Sequence, residues 1–291
     1  MLDFTTLSLQ PGDLIVLRGT GGTWPAANNG FYRILTISAN SLVFDQTPSG
    51  FAADGGAGAT VDLYMGDRII NGVTRQAYTL EREFSDHSPV TYQYLRGFQP
   101  DQFVLTAASQ SIVEAAFTFA GRSAPLQDSG RFAGAVTLPT PTFQVLNSSS
   151  NVAKLLRGGA SVLSDATKNY ITELSLTVNN NLRRKNAVGF IGAADIGAGE
   201  FNVTGSLSSY FDDKAIADQV VNNTETSIQA VFQDSSLHVA AYDIPRIKWS
   251  EGRPEVPGKN DDVVINPNFQ ALRDNVFGYT MKYMRFYGYQ S

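Results

Sequence analysis

The stretch Ile171–Asp213, ITELSLTVNNNLRRKNAVGFIGAADIGAGEFNVTGSLSSYFDD, sets the tightest limit on what this chain can fold into. It reads as two long β-strands flanking a loop. The first strand repeats apolar residues through Ile171, Leu174, Leu176 and Val178, with Glu173 beside Leu174. The second sets Phe201, Val203 and Leu207 against polar Asn202, Thr204 and Ser206. A period of two sends successive side chains to opposite faces of a sheet, so each strand meets two different environments. The loop holds no catalytic residue set. The segment is built as wall.

The 291-residue chain is long enough to bury a sizeable core in one large β domain or two smaller ones. Apolar residues make up 43% and charged residues 17%, which excludes a disordered chain and leaves much neutral polar surface suited to burial against other subunits. Cysteine is absent, so disulfides and thiolate metal sites are excluded. A net charge of −5 argues against tight binding to nucleic-acid phosphates, while leaving room for DNA as something that passes by. No apolar run reaches the length of a membrane span. The opening MLDFTTLSLQPGD lacks a basic region followed by an apolar core and does not read as a signal peptide, so a cytosolic setting is expected.

Residues 1–66 read as a small all-β module of SH3-like or barrel type. Strands are expected at Leu14–Arg18, Phe31–Ile37, Leu42–Asp45 and Thr60–Tyr64, with a turn at Asn28-Asn29-Gly30. Residues 67–291 form the second unit, where strands lengthen. Ala77–Phe84 pairs with Thr91–Arg96 around Ser85–Pro89, and Phe103–Thr106 pairs with Ile112–Ala120. Ser123–Gly159 has no clear period and few apolar anchors (Phe143, Val145, Leu155, Leu156). A connection of that length is usually functional, and it reads as a contact arm or as an ordinary long loop. Asp212–Asn222 is the one helix, capped by Asp212 with Ile216, Val220 and Val221 on a shared face. Strands follow at Ser227–Gln233, His238–Trp249, Val263–Leu272 and Thr280–Tyr287. A faint internal repeat relates Phe103–Gly121 to Leu174–Gly205, as duplicated sheet halves would.

Candidate chemistry is sparse. The glycine-rich Gly19–Gly30 lacks the Gly-Lys-Ser/Thr ending of a phosphate loop and reads as a hairpin loop. His87 and His238, the only histidines, lie far apart and form no metal motif; His87 is read as a turn residue. No Gly-x-Ser-x-Gly elbow is present. Asp212/Asp213 suit a helix start and Asp261/Asp262 a solvated loop, while only two tryptophans argue against a sugar-stacking cleft. The basic run Arg183-Arg184-Lys185 is either a solvated loop tip or a contact with an acidic patch on a neighbouring subunit.

Several patches in order resemble the major tail tube proteins of long-tailed bacteriophages. They are Thr74–Asp86, Tyr94–Phe98, Ser123 after a Phe-x-Phe-x-Gly strand, Asn147–Gly159, above all Leu176–Tyr210 with Asn179–Arg183, then Ile244–Lys248 and Phe269–Asp274. Together they span about Asn71 to Phe286. The resemblance implies a mainly-β fold: a tail-tube β-sandwich or barrel with one flanking α-helix and long loops, with the small N-terminal module as an addition on the tube exterior. It implies a non-enzymatic structural subunit without cofactor or metal, forming hexameric rings that stack into a tube around a lumenal β-barrel. The tape-measure protein, tail-end proteins and transiting DNA are the implied partners, and the virion tail, assembled in the host cytoplasm, is the implied location. Family members of this kind carry more chain ahead of the small module, so either those strands are lacking here or the natural start lies upstream.

On this reading Phe143, Leu155, Leu156, Arg183, Arg184 and Lys185 are candidate inter-subunit contacts. The competing readings are another tail component of the same fold (a distal hub, terminator or receptor-binding module) and a β-sandwich carbohydrate-active enzyme.

Overall fold

A computed structural model describes residues 3–55, 58–127, 131–132, 144–163, 170–212, 214–256 and 258–288. Strands dominate. The first four, β1 (Leu14–Thr20), β2 (Gly30–Ser38), β3 (Ser41–Gln46) and β4 (Thr60–Met65), form an antiparallel sheet of order β3-β2-β1-β4. Next come β5 (Asp67–Ile70), β6 (Tyr78–Phe84), β7 (Thr91–Ala108), β8 (Glu114–Ala120), β9 (Leu126–Gln127), β10 (Val152–Arg157) and β11 (Ala160–Ser161). β12 (Ile171–Asn179), β13 (Arg183–Asn186), β14 (Ala193–Gly197) and β15 (Asn202–Tyr210) lead to helix α1 (Ala215–Val221). The chain closes with β16 (Thr226–Gln233), β17 (His238–Glu251), β18 (Pro254–Glu255), β19 (Val264–Ile265), β20 (Asn268–Ala271) and β21 (Lys282–Tyr287).

The large sheet runs β11-β10-β16-β17-β20-β15-β12-β7-β6 and folds over on itself. The fold-over happens at β17. Its first half pairs with β21 through His238–Asp243 and its second half with β20 through Ile247–Glu251. Pro245, which has no N–H to give a ladder, falls in the gap between those two pairings. The two layers close on one core: Leu105, Leu174, Leu176, Val203, Leu207 and Phe269 meet Ile228, Phe232, Tyr242 and Ile244. Each such side chain, fully buried, is worth roughly 1.5–3 kcal/mol of transfer free energy.

The two hairpins whose sequences echo each other, whether duplicated or unrelated, stand side by side. β8-β7 and β12-β15 meet through β7 and β12, with Leu105 opposite Leu176 and both 2% exposed. β7 is one 18-residue strand rather than two. Its first half pairs with β6 and β9, its second with β8 and β12. Ala77–Phe84 and Thr91–Arg96 do form the expected hairpin, with His87 in its turn.

The helix is shorter than expected. It starts after Lys214, not Asp212, and no side chain caps it. Ile216 is buried and Val220 packs on the core, while Val221 is 82% exposed. Asp213 lies outside the described residues.

The N-terminal sheet does not close: among the described residues no sheet forms a barrel. Leu14, Val16 and Phe31 pack against Val231, Val239, Ala241, Met284 and Phe286, on the far side of the β16-β17-β21 layer from the main core. Its other face holds a separate small core of Ile15, Tyr32 and Ile34. A buried polar latch spans the seam. Asp243 accepts from Arg33 Nη1 (3.0 Å), Gln229 Nε2 (2.7 Å) and the Tyr279 hydroxyl (2.7 Å), while Arg33 also grips Asp45. Burial works against the charge on Arg33, but Asp243 and Asp45 outweigh it and hold the guanidinium pKa above its ordinary range.

Candidate functional site

The five adjacent strands β8-β7-β12-β15-β20 present two unlike faces. Directly opposite residues in an antiparallel pair share a face. One face carries Phe103, Leu105, Ala107, Leu174, Leu176, Val178, Val203, Leu207, Phe269 and Ala271 into the core. The other carries three rows in register: Thr106, Ser175, Ser206 and Asn268; Val104, Thr177, Thr204 and Gln270; Gln102, Asn179 and Asn202. On β8 the same face adds Glu114, Ala116 and Thr118, and Glu173 faces Ala108 and Ser208. These registered positions hold two carboxylates, Glu114 and Glu173, and no lysine or arginine. The next strand, β17, brings Lys248 opposite Gln270, with its Nζ 3.8 Å from Glu225.

The faces are fixed by sequence alternation, but one position needs glycine. A Cβ on Gly205 would lie 2.3 Å from the Ser175 carbonyl and 2.4 Å from the Phe269 ring. The ring fills the space over Gly205, locking β15 between β12 and β20.

This sheet ends in an open edge. β8 pairs with β7, and among the described residues nothing pairs with its other side. Just ahead of β8, Val113 N–H donates to Leu146 O and Ile112 bridges Asn147. Just past it, Ser123 N–H donates to Arg96 O on β7, so the carbonyl of the same peptide, Arg122 O, points away from β7. That carbonyl accepts from Ala193 N–H. The edge is therefore closed at both ends by the chain itself and open between, over a strand whose one charge is Glu114. Phe117 is 61% exposed on it. An open, nearly uncharged strand edge is a template for pairing with another chain.

The loop between β12 and β15 is a β13–β14 hairpin, with Arg183, Arg184 and Lys185 in register against Gly197, Ile196 and Asp195. The basic run is thus the root strand of a hairpin, not a loop tip. Lys185 forms an ion pair with Asp195 of the same chain (2.9 Å, both more than half exposed), and Lys185 holds the Asp195 carboxyl below its ordinary pKa. Arg183 donates to Ala198 O and Arg184 is exposed. Arg75 and Arg122 donate to the carbonyls of Ile196 and Ala194 and pin the hairpin across β7.

Leu155 and Leu156 lie on β10 inside the large sheet, paired with β16, rather than on a free arm. Leu156 is buried, and Leu155 packs against the chain's own core. Phe143 lies outside the described residues, as do 128–130 and 133–142 of the expected arm. Sequence reading did not single out β8 as an edge or the tip residues 187–191; their signal was a charge-free run between Lys185 and Asp195.

Among the described residues no group of three or more His, Cys, Asp or Glu is placed to hold a metal, and no helix is long and apolar enough to cross a membrane. His238 instead pairs with Asp234 (2.7 Å). A comparison with protein-family models matches residues 10–271 to the family described as phage tail tube protein. None of the curated proteins matches the chain.

Proposed function

The chain belongs to the phage tail tube protein family and is a structural component of a phage tail; on that premise we propose that its copies form hexameric rings stacked into a tube, with the polar face of β8-β7-β12-β15-β20 lining the lumen. One observation carries this reading: opposite the largely apolar core face, the registered rows hold mostly neutral polar side chains, two carboxylates and no basic residue. Such a wall repels DNA phosphates weakly and offers them nothing to grip, as passage requires.

The open edge of β8 supports ring closure. A second copy that adds a strand there continues the ladder, and a closed ring of copies leaves no edge exposed. Barrel closure on this reading belongs to the assembly, consistent with sheets that stay open among the described residues of one chain. Head-to-tail contacts along the axis do not close, and so extend a tube. The layer order supports an outermost N-terminal sheet on this reading, since the β16-β17-β21 layer and the wall both lie between it and the polar face. The tape-measure protein occupies the lumen during assembly in the host cell, and DNA follows it.

Negative-stain electron microscopy of the purified chain tests the reading. Rings or tubes with a central channel are expected; a chain that stays monomeric across salt, pH and concentration sinks it.

A further inference from the structure

The β13–β14 hairpin carries an apolar tip to the outer side of the β8 edge. Its root lies beside Asp101, where Asn180 N–H donates to the Asp101 carbonyl and Leu182 N–H to the Asp101 side chain. From there it passes Arg75, which precedes β6 on one flank of β7, and reaches Arg122 on the other flank. Ala193 N–H bonds the carbonyl of Arg122 that points away from β7, so residues 187–192 lie beyond the last strand of the sheet. Gly192 makes this close approach possible: it has φ +102°, and a Cβ there would lie 2.2 Å from Arg122 O.

The tip is Ala187-Val188-Gly189-Phe190-Ile191. Val188 and Ile191 are fully exposed and Phe190 is 60% exposed. The hairpin behind them is firmly held, with Ile196 fully buried and Ala193 nearly so. Three large apolar side chains on a rigid mount, with no charge among them, form a patch that a free-standing surface does not favour. Its mount lies at Arg122, just past the end of the open stretch of β8.

We propose that this tip is a clasp that closes over a second copy of the chain once that copy has paired with the β8 edge. The occupant is a second copy because the chain belongs to a family whose members assemble with copies of themselves, and the tip stands at the Arg122 end of the open edge. This inference rests on the tube reading. The strand ladder supplies the pairing, and the clasp adds apolar burial that locks it, in the way that interface centres bury apolar anchors beside hydrogen-bonded strands.

The absence of cysteine permits a clean test. In Val188→Cys the single thiol reacts freely with a maleimide in the monomer, and its labelling rate falls about tenfold or more in assembled tubes, because access governs thiol chemistry. A second variant, Val188→Ser with Ile191→Ser, remains a folded monomer by circular dichroism and forms tubes that dissociate under milder conditions than wild type. If wild-type tubes form, the thiol labels in them as fast as in the monomer, and the serine variant assembles normally, the clasp is wrong while the tube reading stands. If the wild type never assembles, the tube reading fails and the clasp falls with it.

Discussion

Lys282 donates through Nζ to Asp13 Oδ1 at 2.7 Å, with both side chains 1% exposed, and so ties the last strand to the turn before the first. Arg68 takes the second oxygen of Asp13, also at 2.7 Å. The ammonium lies 4.4 Å from the centre of the Tyr279 ring, whose hydroxyl donates to Asp243 at 2.7 Å and lies 3.2 Å from Gly12 O. The ion pair thereby merges with the Arg33–Asp243 latch along one buried seam.

Breaking that seam from one side strands a charge. Asp13→Ala is expected to cost about 3–5 kcal/mol, since it leaves Lys282 buried and unpaired. Lys282→Met with Asp13→Leu removes both charges and recovers most of the loss. Urea melts of the wild type and the two variants check this; equal destabilisation by the single and double changes would show that the pair itself stabilises the seam.

A second titratable group in the seam gives a pH dependence. Burial, then the neighbouring Arg33, lowers the Lys154 ammonium to about 8, from 10.5 in the unfolded chain. Below about pH 8 both states hold the proton. Between about 8 and 10.5 the unfolded chain retains a proton that the folded chain has released, so this group makes stability rise with pH across that window. Stability of the wild type relative to Lys154→Met should therefore increase between about pH 7 and pH 10. A difference that stays flat, measured by melts at both ends, contradicts it.

Gly205 is where the wall is least forgiving. Gly205→Ala pushes a methyl into the Ser175 carbonyl and the Phe269 ring, and a cost of about 1–3 kcal/mol or more is expected. The melting temperature of the monomer reports it, and an unchanged value would mean that β15 and β20 shift apart freely.

The edge reading predicts a backbone-specific effect. Val113 donates away from β7, so in a regular strand Ala115 N–H points outward as well. Ala115→Pro deletes that donor and leaves the β7 ladder intact. The variant is expected to fold, by circular dichroism, and to stay unassembled in the microscope. Normal tubes from this variant would move the subunit contact elsewhere.

The lumen reading is tested by charge. Ser175→Lys or Thr204→Lys places an ammonium on the polar face without touching the core face. Tubes should still form, while DNA delivery by complemented phage slows in a manner relieved by salt. Unchanged ejection for every position on this face would show that it does not meet DNA.

Much of the wall was legible in the sequence, because period two is a local property. Val203 and Leu207 against Asn202, Thr204 and Ser206 assign two faces without knowledge of any neighbour, and the structure keeps those faces. The hairpin around Ser85–Pro89 was legible for the same reason. Which strands stand beside each other is not local. Whether β8 has a partner on its outer side depends on where residues 146 and 193 return, and nothing within Glu114–Ala120 says so. Arg183–Lys185 looked like a solvated tip because a charged run resembles a loop until Ile196 and Asp195 are brought opposite. The seam joins residues more than two hundred positions apart, from Asp13 to Lys282 and from Arg33 to Asp243. Alternation set by single residues therefore determined what the sheet is made of. Its edges, its crossing hairpin and its buried ion pairs were decided by tertiary structure, because exposure and burial are properties of the packed chain.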